Sequence, residues 1–93
     1  MNLLQKRNSR EPCTESGWIA FDYLLETQIL PEDILSLQNA GALTYLRMLK
    51  KPFFKVESDY FHIKGTEGEK VLRIAVHMGY MEQLEQLERM VFQ

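Results

Sequence analysis

Hydrophobic and polar residues follow two different periods along this chain of 93 residues. Over residues 18–29 the apolar side chains recur three or four positions apart, which is typical of one face of an α-helix. From residue 53 onward they occur in short runs rich in aromatic and β-branched residues, which is typical of strands. The change of period predicts a helical N-terminal half followed by a sheet.

The first predicted helix begins at Thr14 or Ser16, because either hydroxyl can cap the first turn. Its apolar stripe consists of Trp18, Phe21 and Leu25, at the spacing i, i+3 and i+7. Because Trp18 lies on the same stripe as the other apolar residues, we expect its ring to be in the core.

A second helical region is predicted between Pro31 and Lys51. Proline suits the first helical position, and Lys50 and Lys51 complement the helix dipole just before Pro52, which cannot continue the helix. Gly41 lies in the middle of this region, where glycine costs up to ~1 kcal/mol relative to alanine. The region is therefore one helix with a tolerated glycine or, as we favour, two helices separated by a turn.

The C-terminal half predicts a three-stranded antiparallel meander and one more helix. The strands are expected at Phe53–Val56, Tyr60–Lys64 and Val71–Met78, with turn residues between them. A final amphipathic helix carries its apolar side chains at Leu84, Leu87 and Val91.

These elements predict an α+β fold with two to three N-terminal helices, a three-stranded antiparallel β-meander and a C-terminal amphipathic helix. We assign residues 13–93 to one such domain, because a chain of this length suffices for a single modest core. Residues 1–12 are polar and show neither period, so they predict a flexible basic tail.

Composition restricts the class of protein. The formal net charge of -2 argues against a general nucleic-acid binder but is compatible with a local basic site. The only cysteine, Cys13, cannot form an internal disulfide, and no apolar run approaches the ~18 to 20 residues that span a bilayer. We therefore expect a cytoplasmic protein that does not engage a membrane.

Catalytic and metal-binding residues are not expected. If two strands pair across a turn at residues 65–69, the numbers of opposite residues add up to about 133 or 134. His62 and His77 would then lie about five residues apart along the sheet, too far to share a metal ion. Cys13 has no histidine near it in sequence, and Gly65 and Gly68 fit a hairpin turn better than a phosphate loop. We expect no catalytic residue, no cofactor and no metal.

Charged residues are sorted along the chain. Between Arg10 and Arg47 there are acids but no lysine or arginine, and four cations then follow in quick succession: Arg47, Lys50, Lys51 and Lys55. Arg47, Lys50 and Lys51 lie within about one helical turn of each other, and Lys55 follows in the adjoining predicted strand. We therefore expect the four residues to form one basic surface, which would suit an acidic protein or a nucleic-acid backbone.

The predicted order of three helices and two strands over Trp18–Lys64 resembles the winged helix-turn-helix architecture of small DNA-binding regulators. The resemblance covers roughly half of the chain. It makes residues 39–41 the turn, Ala42–Lys51 the recognition helix and the hairpin at Glu57–Asp59 the wing. It implies a DNA-binding transcriptional regulator, which is our alternative prediction.

The function we prefer is that of a small non-enzymatic interaction or regulatory protein that docks on another macromolecule, because no convergent polar site is apparent. Its partner would be a protein. One form of this role is that of an inhibitor or adaptor of an enzyme that acts on nucleic acid. The stripe of Leu84, Leu87 and Val91 either covers the sheet of its own chain or joins two copies as a homodimer, as an edge strand also would.

Overall fold

The computed structural model of this chain describes residues 1–9 and 16–92. Over these residues the chain forms six strands and two α-helices. In chain order they are β1 (Leu3–Asn8), β2 (Trp18–Leu25), α1 (Pro31–Ser36), β3 (Ala42–Leu46), β4 (Phe53–Glu57), β5 (Phe61–Thr66), β6 (Val71–His77) and α2 (Met81–Val91). Short 3-10 turns follow α1 over Leu37–Ala40 and precede α2 over Met78–Tyr80.

All six strands belong to one antiparallel sheet with the order β1-β2-β6-β5-β4-β3. Strands β3 to β6 follow one another as hairpins, and β2 pairs with β6 at the end of that meander. β1 pairs with β2, so that β1 and β3 are the two edges of the sheet.

One face of the sheet is packed against both helices, and we call it the covered face. Because side chains alternate along a strand, every second residue of a central strand points toward it. Its buried sheet residues include Phe21, Tyr23, Phe54, Ile63 and Ile74. The helical segments add Ile34, Leu37, Leu84, Leu87 and Val91 to the same cluster. The opposite side of the sheet, which neither described helix covers, is called the open face.

Residues 18–25, predicted as the first helix, form strand β2 instead. Their apolar residues fit both periods, because Phe21, Tyr23 and Leu25 also alternate with period two and are buried on the covered face. Pairing with β1 and β6 decides between the two structures. Trp18 therefore lies half-buried on the open face, and the prediction of a core tryptophan is wrong.

The second predicted helix is wrong beyond its beginning. α1 ends at Ser36, a 3-10 turn continues to Ala40, and the residues after Gly41 form β3. Gly41 does separate the helical residues from those of β3. Glycine is required there because a Cβ would overlap the carbonyl oxygen of Glu57 in the neighbouring strand. Ala42–Lys51, the recognition helix of the winged helix-turn-helix resemblance, is thus a strand followed by a turn, and that resemblance is wrong.

The N-terminal segment also differs from its prediction. Leu3–Asn8, inside the expected tail of residues 1–12, pairs with β2 as an edge strand. All six of its side chains are exposed, which explains why the segment shows no hydrophobic period. Cys13 and Thr14 lie outside the described residues, and Ser16, the other predicted helix cap, is in a turn.

The described chain is therefore mostly sheet, and the predicted α+β fold with two to three N-terminal helices and a three-stranded meander is wrong. The three predicted strands do occur, as β4, β5 and β6, and the final helix occurs as α2. They form only part of a larger sheet. The sequence does not predict strands β2 and β3, because the pattern of their residues is typical of helices.

Candidate functional site

A row of cations crosses the open face of the sheet. In the pairing register Arg7 lies opposite Asp22, Asp22 opposite Arg73, Arg73 opposite Lys64, and Lys64 opposite Lys55. We call Arg7, Arg73, Lys64 and Lys55 the basic row. Neighbouring strands are about 4.8 Å apart, so the row extends over roughly 19 Å.

Among the described residues, acids also lie beside these cations and offset part of their charge, and one of them, Glu69, lines the same surface as Lys64 and Arg73. Asp22 occupies the β2 position of the row, and Glu57 lies two residues after Lys55 on the same face. The Lys55 Nζ is 3.0 Å from a carboxylate oxygen of Glu57. The hydrogen bond from Lys55, followed by its charge, lowers the pKa of the Glu57 carboxyl.

The centre of the open face is concave. A depression of about 640 Å³ spans β1, β2, β6, β5 and the start of β4. Its lining includes three members of the basic row, Arg7, Lys64 and Arg73, together with Ser9 and Asp22. One guanidinium nitrogen of Arg73 donates to the Ser9 hydroxyl at 3.1 Å. Phe53, Leu24 and Val71 add apolar surface, so the depression offers both charge and hydrophobic contact.

Aromatic rings gather beside the basic row, with Trp18, His62 and His77 on the open face. Tyr60 and Tyr80 lie outside the strands and extend this group, and Tyr80 also packs against the core cluster of the covered face. Trp18 stacks on His62 with ring centroids 4.5 Å apart, and the edge of His77 meets Trp18 at 5.8 Å. Tyr80 contacts His77 at 5.8 Å and lies against Tyr60 at 3.9 Å. We call Trp18, His62, His77, Tyr60 and Tyr80 the aromatic cluster. His62 is two residues before Lys64 in β5, so this cluster borders the basic row directly.

The predicted separation of the two histidines is wrong. His62 lies opposite Ala75, so paired residues of β5 and β6 sum to 137. The turn is centred later than the sequence predicts because Gly65 and Thr66 continue β5. Both imidazoles consequently contact the ring of Trp18. Within residues 1–9 and 16–92, no group of three or more His, Cys, Asp or Glu residues is arranged to hold a metal ion.

A hydrogen bond from the backbone orients the ring of His77. The backbone N–H of Gly79 donates to Nδ1 of His77 at 3.1 Å. Because Nδ1 accepts this bond, the neutral ring of His77 carries its proton on Nε2. This contact fixes the ring beside Trp18 at the point where β6 ends, and it makes His77 part of a structured aromatic platform.

The predicted basic surface is divided by the structure. Lys55 belongs to the basic row, whereas Arg47, Lys50 and Lys51 lie in the turn between β3 and β4. The Arg47 guanidinium is 5.3 Å from the centre of the Tyr45 ring, and the Lys51 Nζ is 3.8 Å from Glu69. These three residues are not in a helix, so the helical spacing that would place their side chains on one surface does not apply.

Leu84, Leu87 and Val91, the predicted self-association residues, are core residues of this chain. They are 2%, 6% and 5% exposed and pack in the cluster on the covered face. The apolar stripe of α2 thus covers its own sheet, which is one of the two alternatives left open by the sequence.

Arg7, Lys64, Arg73 and Trp18 are absent from the sequence-based set of binding residues. A signal for two of them exists, because Lys64 and Arg73 lie on the polar side of strands that the sequence does predict. Only the observed register brings the two side chains opposite each other. Arg7 and Trp18 join them through β1 and β2, which the sequence pattern does not reveal as strands.

No family model, curated protein or solved structure matches this chain. In the described part of the chain, none of the helices is both long and apolar enough to pass through a membrane. The function is therefore argued from the geometry of the open face.

Proposed function

We propose that this protein docks on single-stranded nucleic acid across the open face of its sheet. The observation that carries the proposal is the basic row, four cations from four strands, lying directly beside the aromatic cluster. Cations that follow a backbone and rings on which bases stack are the two features that single-strand binding surfaces combine.

The net charge of -2 is compatible with this proposal because the charges are unevenly distributed. The two helices on the covered face carry five of the 13 acids and a single cation, Arg89: the acids are Glu32 and Asp33 in α1, and Glu82, Glu85 and Glu88 in α2. The open face carries the basic row. An anionic chain is therefore attracted to one side of the molecule and repelled from the other, which orients its approach.

The dimensions favour a single strand over a duplex. A sheet of six strands is roughly 24 Å wide, whereas the major groove of B-DNA is about 12 Å wide and admits a helix or two strands. The sheet cannot enter such a groove. A single strand can instead lie across the sheet with its phosphates on the basic row and its bases against Trp18 or Tyr60, since unpaired bases expose their faces.

The aromatic cluster also favours nucleic acid over an acidic protein. An acidic peptide would need the cations alone, and it would leave the rings of Trp18, Tyr60 and Tyr80 without a role. Stacking of a base on an aromatic side chain contributes about 1–3 kcal/mol. The proposed role is binding of the strand. Through this binding the protein would regulate an enzyme that acts on the same strand, and the proposed location is the cytosol.

Titration with short oligonucleotides tests the proposal. The chain has one tryptophan, and Trp18 lies on the proposed surface, so its own fluorescence reports binding. We expect quenching by a single-stranded oligonucleotide of about 15 nucleotides at about 50 mM salt, and weaker binding of a duplex of the same sequence.

Two matched charge reversals identify the surface. Lys64→Glu removes an exposed member of the basic row, and we expect affinity to fall about tenfold with a salt slope reduced by roughly 0.7 or more. Arg89→Glu makes the same charge change on α2, where Arg89 pairs only with Glu85 among described residues, and it should change affinity less than about twofold. Equal effects of the two variants, equal binding of duplex, or binding of an acidic peptide in place of oligonucleotide would contradict the proposal.

A further inference from the structure

The two edges of the sheet differ in their protection against pairing with another chain. β1 carries Lys6 and Arg7, and its pairing with β2 shifts between Leu3 and Gln5. Charged side chains and irregular pairing are common devices that prevent an edge strand from recruiting another strand. β3, with the sequence Ala-Leu-Thr-Tyr-Leu, is the only one of the six described strands without Asp, Glu, Lys or Arg.

The outer side of β3 is open to a further strand. Among the described residues, the backbone hydrogen bonds outside the regular ladders reach none of Ala42–Tyr45. The 3-10 turn after α1 contacts both β3 and β4, and its Leu37 packs in the core cluster on the covered face and not in line with the sheet. The N–H and C=O groups that point away from β4 are therefore available for pairing.

We infer that β3 pairs antiparallel with β3 of a second copy of this chain, with Thr44 opposite Thr44 at the two-fold axis. In this register Leu43 of one copy lies opposite Tyr45 of the other, and Ala42 lies opposite Leu46. An aromatic residue beside an aliphatic one is a favourable cross-strand pair. The second copy suits this edge because an uncharged strand brings no like charges together and leaves no charge unpaired.

The pairing extends the surface described above. A two-fold axis perpendicular to the sheet keeps the open faces of both copies on the same side. Lys55 lies opposite Thr44 in β3, so the basic rows of the two copies would be collinear, with the two Lys55 residues about 14 Å apart across the Thr44 pair. This consequence for nucleic-acid binding rests on the proposed function, whereas the pairing of the edges does not.

Sedimentation velocity of the full chain tests the pairing without any nucleic acid. We expect a concentration-dependent dimer at twice the chain mass of 11.0 kDa. Thr44→Lys places two lysines opposite each other at an exposed position, and it should raise the dissociation constant at least about fivefold while circular dichroism stays unchanged. Gln5→Lys adds the same charge to the exposed, opposite edge and should leave the dimer intact.

A cysteine cross-link tests the register and does not depend on how Thr44→Lys folds. In a Cys13→Ser background, Thr44→Cys should form a disulfide-linked dimer under mild oxidation, because directly opposite Cα atoms lie about 4.5–5.5 Å apart, within the range that a disulfide spans. Gln5→Cys is the matched control and should form no disulfide-linked dimer, because Gln5 lies on the opposite edge of the sheet. A wild-type protein that is monomeric at every concentration, no cross-link at position 44, or equal effects at the two edges would overturn the inference.

The two proposals fail in distinguishable ways. A dimer that leaves Trp18 fluorescence unchanged by oligonucleotide contradicts the proposed function and supports the pairing. A monomer that binds oligonucleotide supports the proposed function and overturns the pairing. If both hold, Thr44→Lys, which adds a cation beside Lys55, should weaken binding of long strands while short strands bind at least as tightly.

Discussion

The covered face and the open face are built from the same strands but carry different chemistry. Phe54, Ile63 and Ile74 on the covered face are fully buried among apolar neighbours. One position along each strand, Lys55, Lys64 and Arg73 point the other way and form the basic row. A shift of one residue separates the two sets, because side chains alternate across a strand. The covered face thus holds the core cluster, and the open face is the surface on which we propose binding.

The covered face also contains one polar contact that connects a helix to the sheet. The Tyr23 hydroxyl donates to Glu88 at 2.6 Å, and the Lys6 Nζ lies 2.7 Å from the same carboxylate. Lys6 is also 4.4 Å from the centre of the Phe21 ring. Tyr23 stacks on Phe92 at 4.8 Å. These contacts join β1, β2 and the end of α2, so they fix the helix on one side of the sheet.

The largest expected effect is the loss of stability on removing one of two neighbouring phenylalanines, which lie on opposite faces of the sheet. Phe54→Ala removes a ring with 0% exposure from the covered face, and we expect a loss of about 3–5 kcal/mol in the free energy of unfolding. Phe53→Ala makes the same change on the open face, where the ring is half-buried, and should cost about 1–2 kcal/mol. Urea unfolding measures both. Equal losses would contradict the assignment of the two faces.

A smaller effect is expected from adding one methyl group. A Cβ on Gly65 would lie 2.7 Å from Cζ of the buried Phe54 ring, and the ring has no space to move. Gly65→Ala should therefore lower the free energy of unfolding by about 1–3 kcal/mol. In a Phe54→Leu background the smaller side chain gives room, so the same substitution should cost clearly less. An unchanged cost in that background would show that the clash is not the cause.

Alkaline pH should destabilise the fold through Tyr23. Burial, followed by the hydrogen bond and the charge of Glu88, raises the pKa of the Tyr23 hydroxyl above its ordinary value of 10.0. The folded state therefore retains this proton more strongly than the unfolded chain does. The stabilisation is complete below pH 10.0 and is lost progressively as the pH rises above that value.

Tyr23→Phe tests this dependence. The variant should lose about 1 kcal/mol at neutral pH, because a single hydrogen bond disappears while Lys6 still pairs with Glu88. Its stability should then fall less steeply above pH 10.0 than that of the parent. Tyr60→Phe, at an exposed position between β4 and β5, is the control and should leave the alkaline slope unchanged. A parallel fall in Tyr23→Phe and the parent would contradict the role of this hydroxyl.

The smallest expected effect concerns the acid beside the basic row. Glu57→Gln removes the exposed carboxylate that pairs with Lys55, so the free energy of unfolding should change by less than about 0.5 kcal/mol. Affinity for single-stranded oligonucleotide should instead rise by roughly twofold to fivefold, because Lys55 is released for phosphate. Trp18 fluorescence titration measures this change. A loss of affinity would place Lys55 outside the binding surface.

Local patterns predict the C-terminal half better than the N-terminal half. The alternation in the last predicted strand assigns Leu72, Ile74, Val76 and Met78 to the core, and the first three are buried in β6. Met78 is exposed, because β6 ends at His77. α2 is predicted because its apolar residues fit only the helical period. In β2, apolar residues such as Trp18 and Leu24 also occur on the open face, so the helical and strand periods overlap. Such a segment adopts the structure that its neighbours pair with.

The sequence by itself determined the strands of the C-terminal meander, the amphipathic helix that follows and the net charge, because each depends on residues close together in the chain. The tertiary structure alone decided that β2 joins β6 and that the register places Lys64 opposite Arg73. It also decided that Trp18 contacts both histidines. These arrangements depend on long-range pairing, whose hydrogen bonds and burial outweigh local propensity, and on a turn position whose shift changes every cross-strand neighbour.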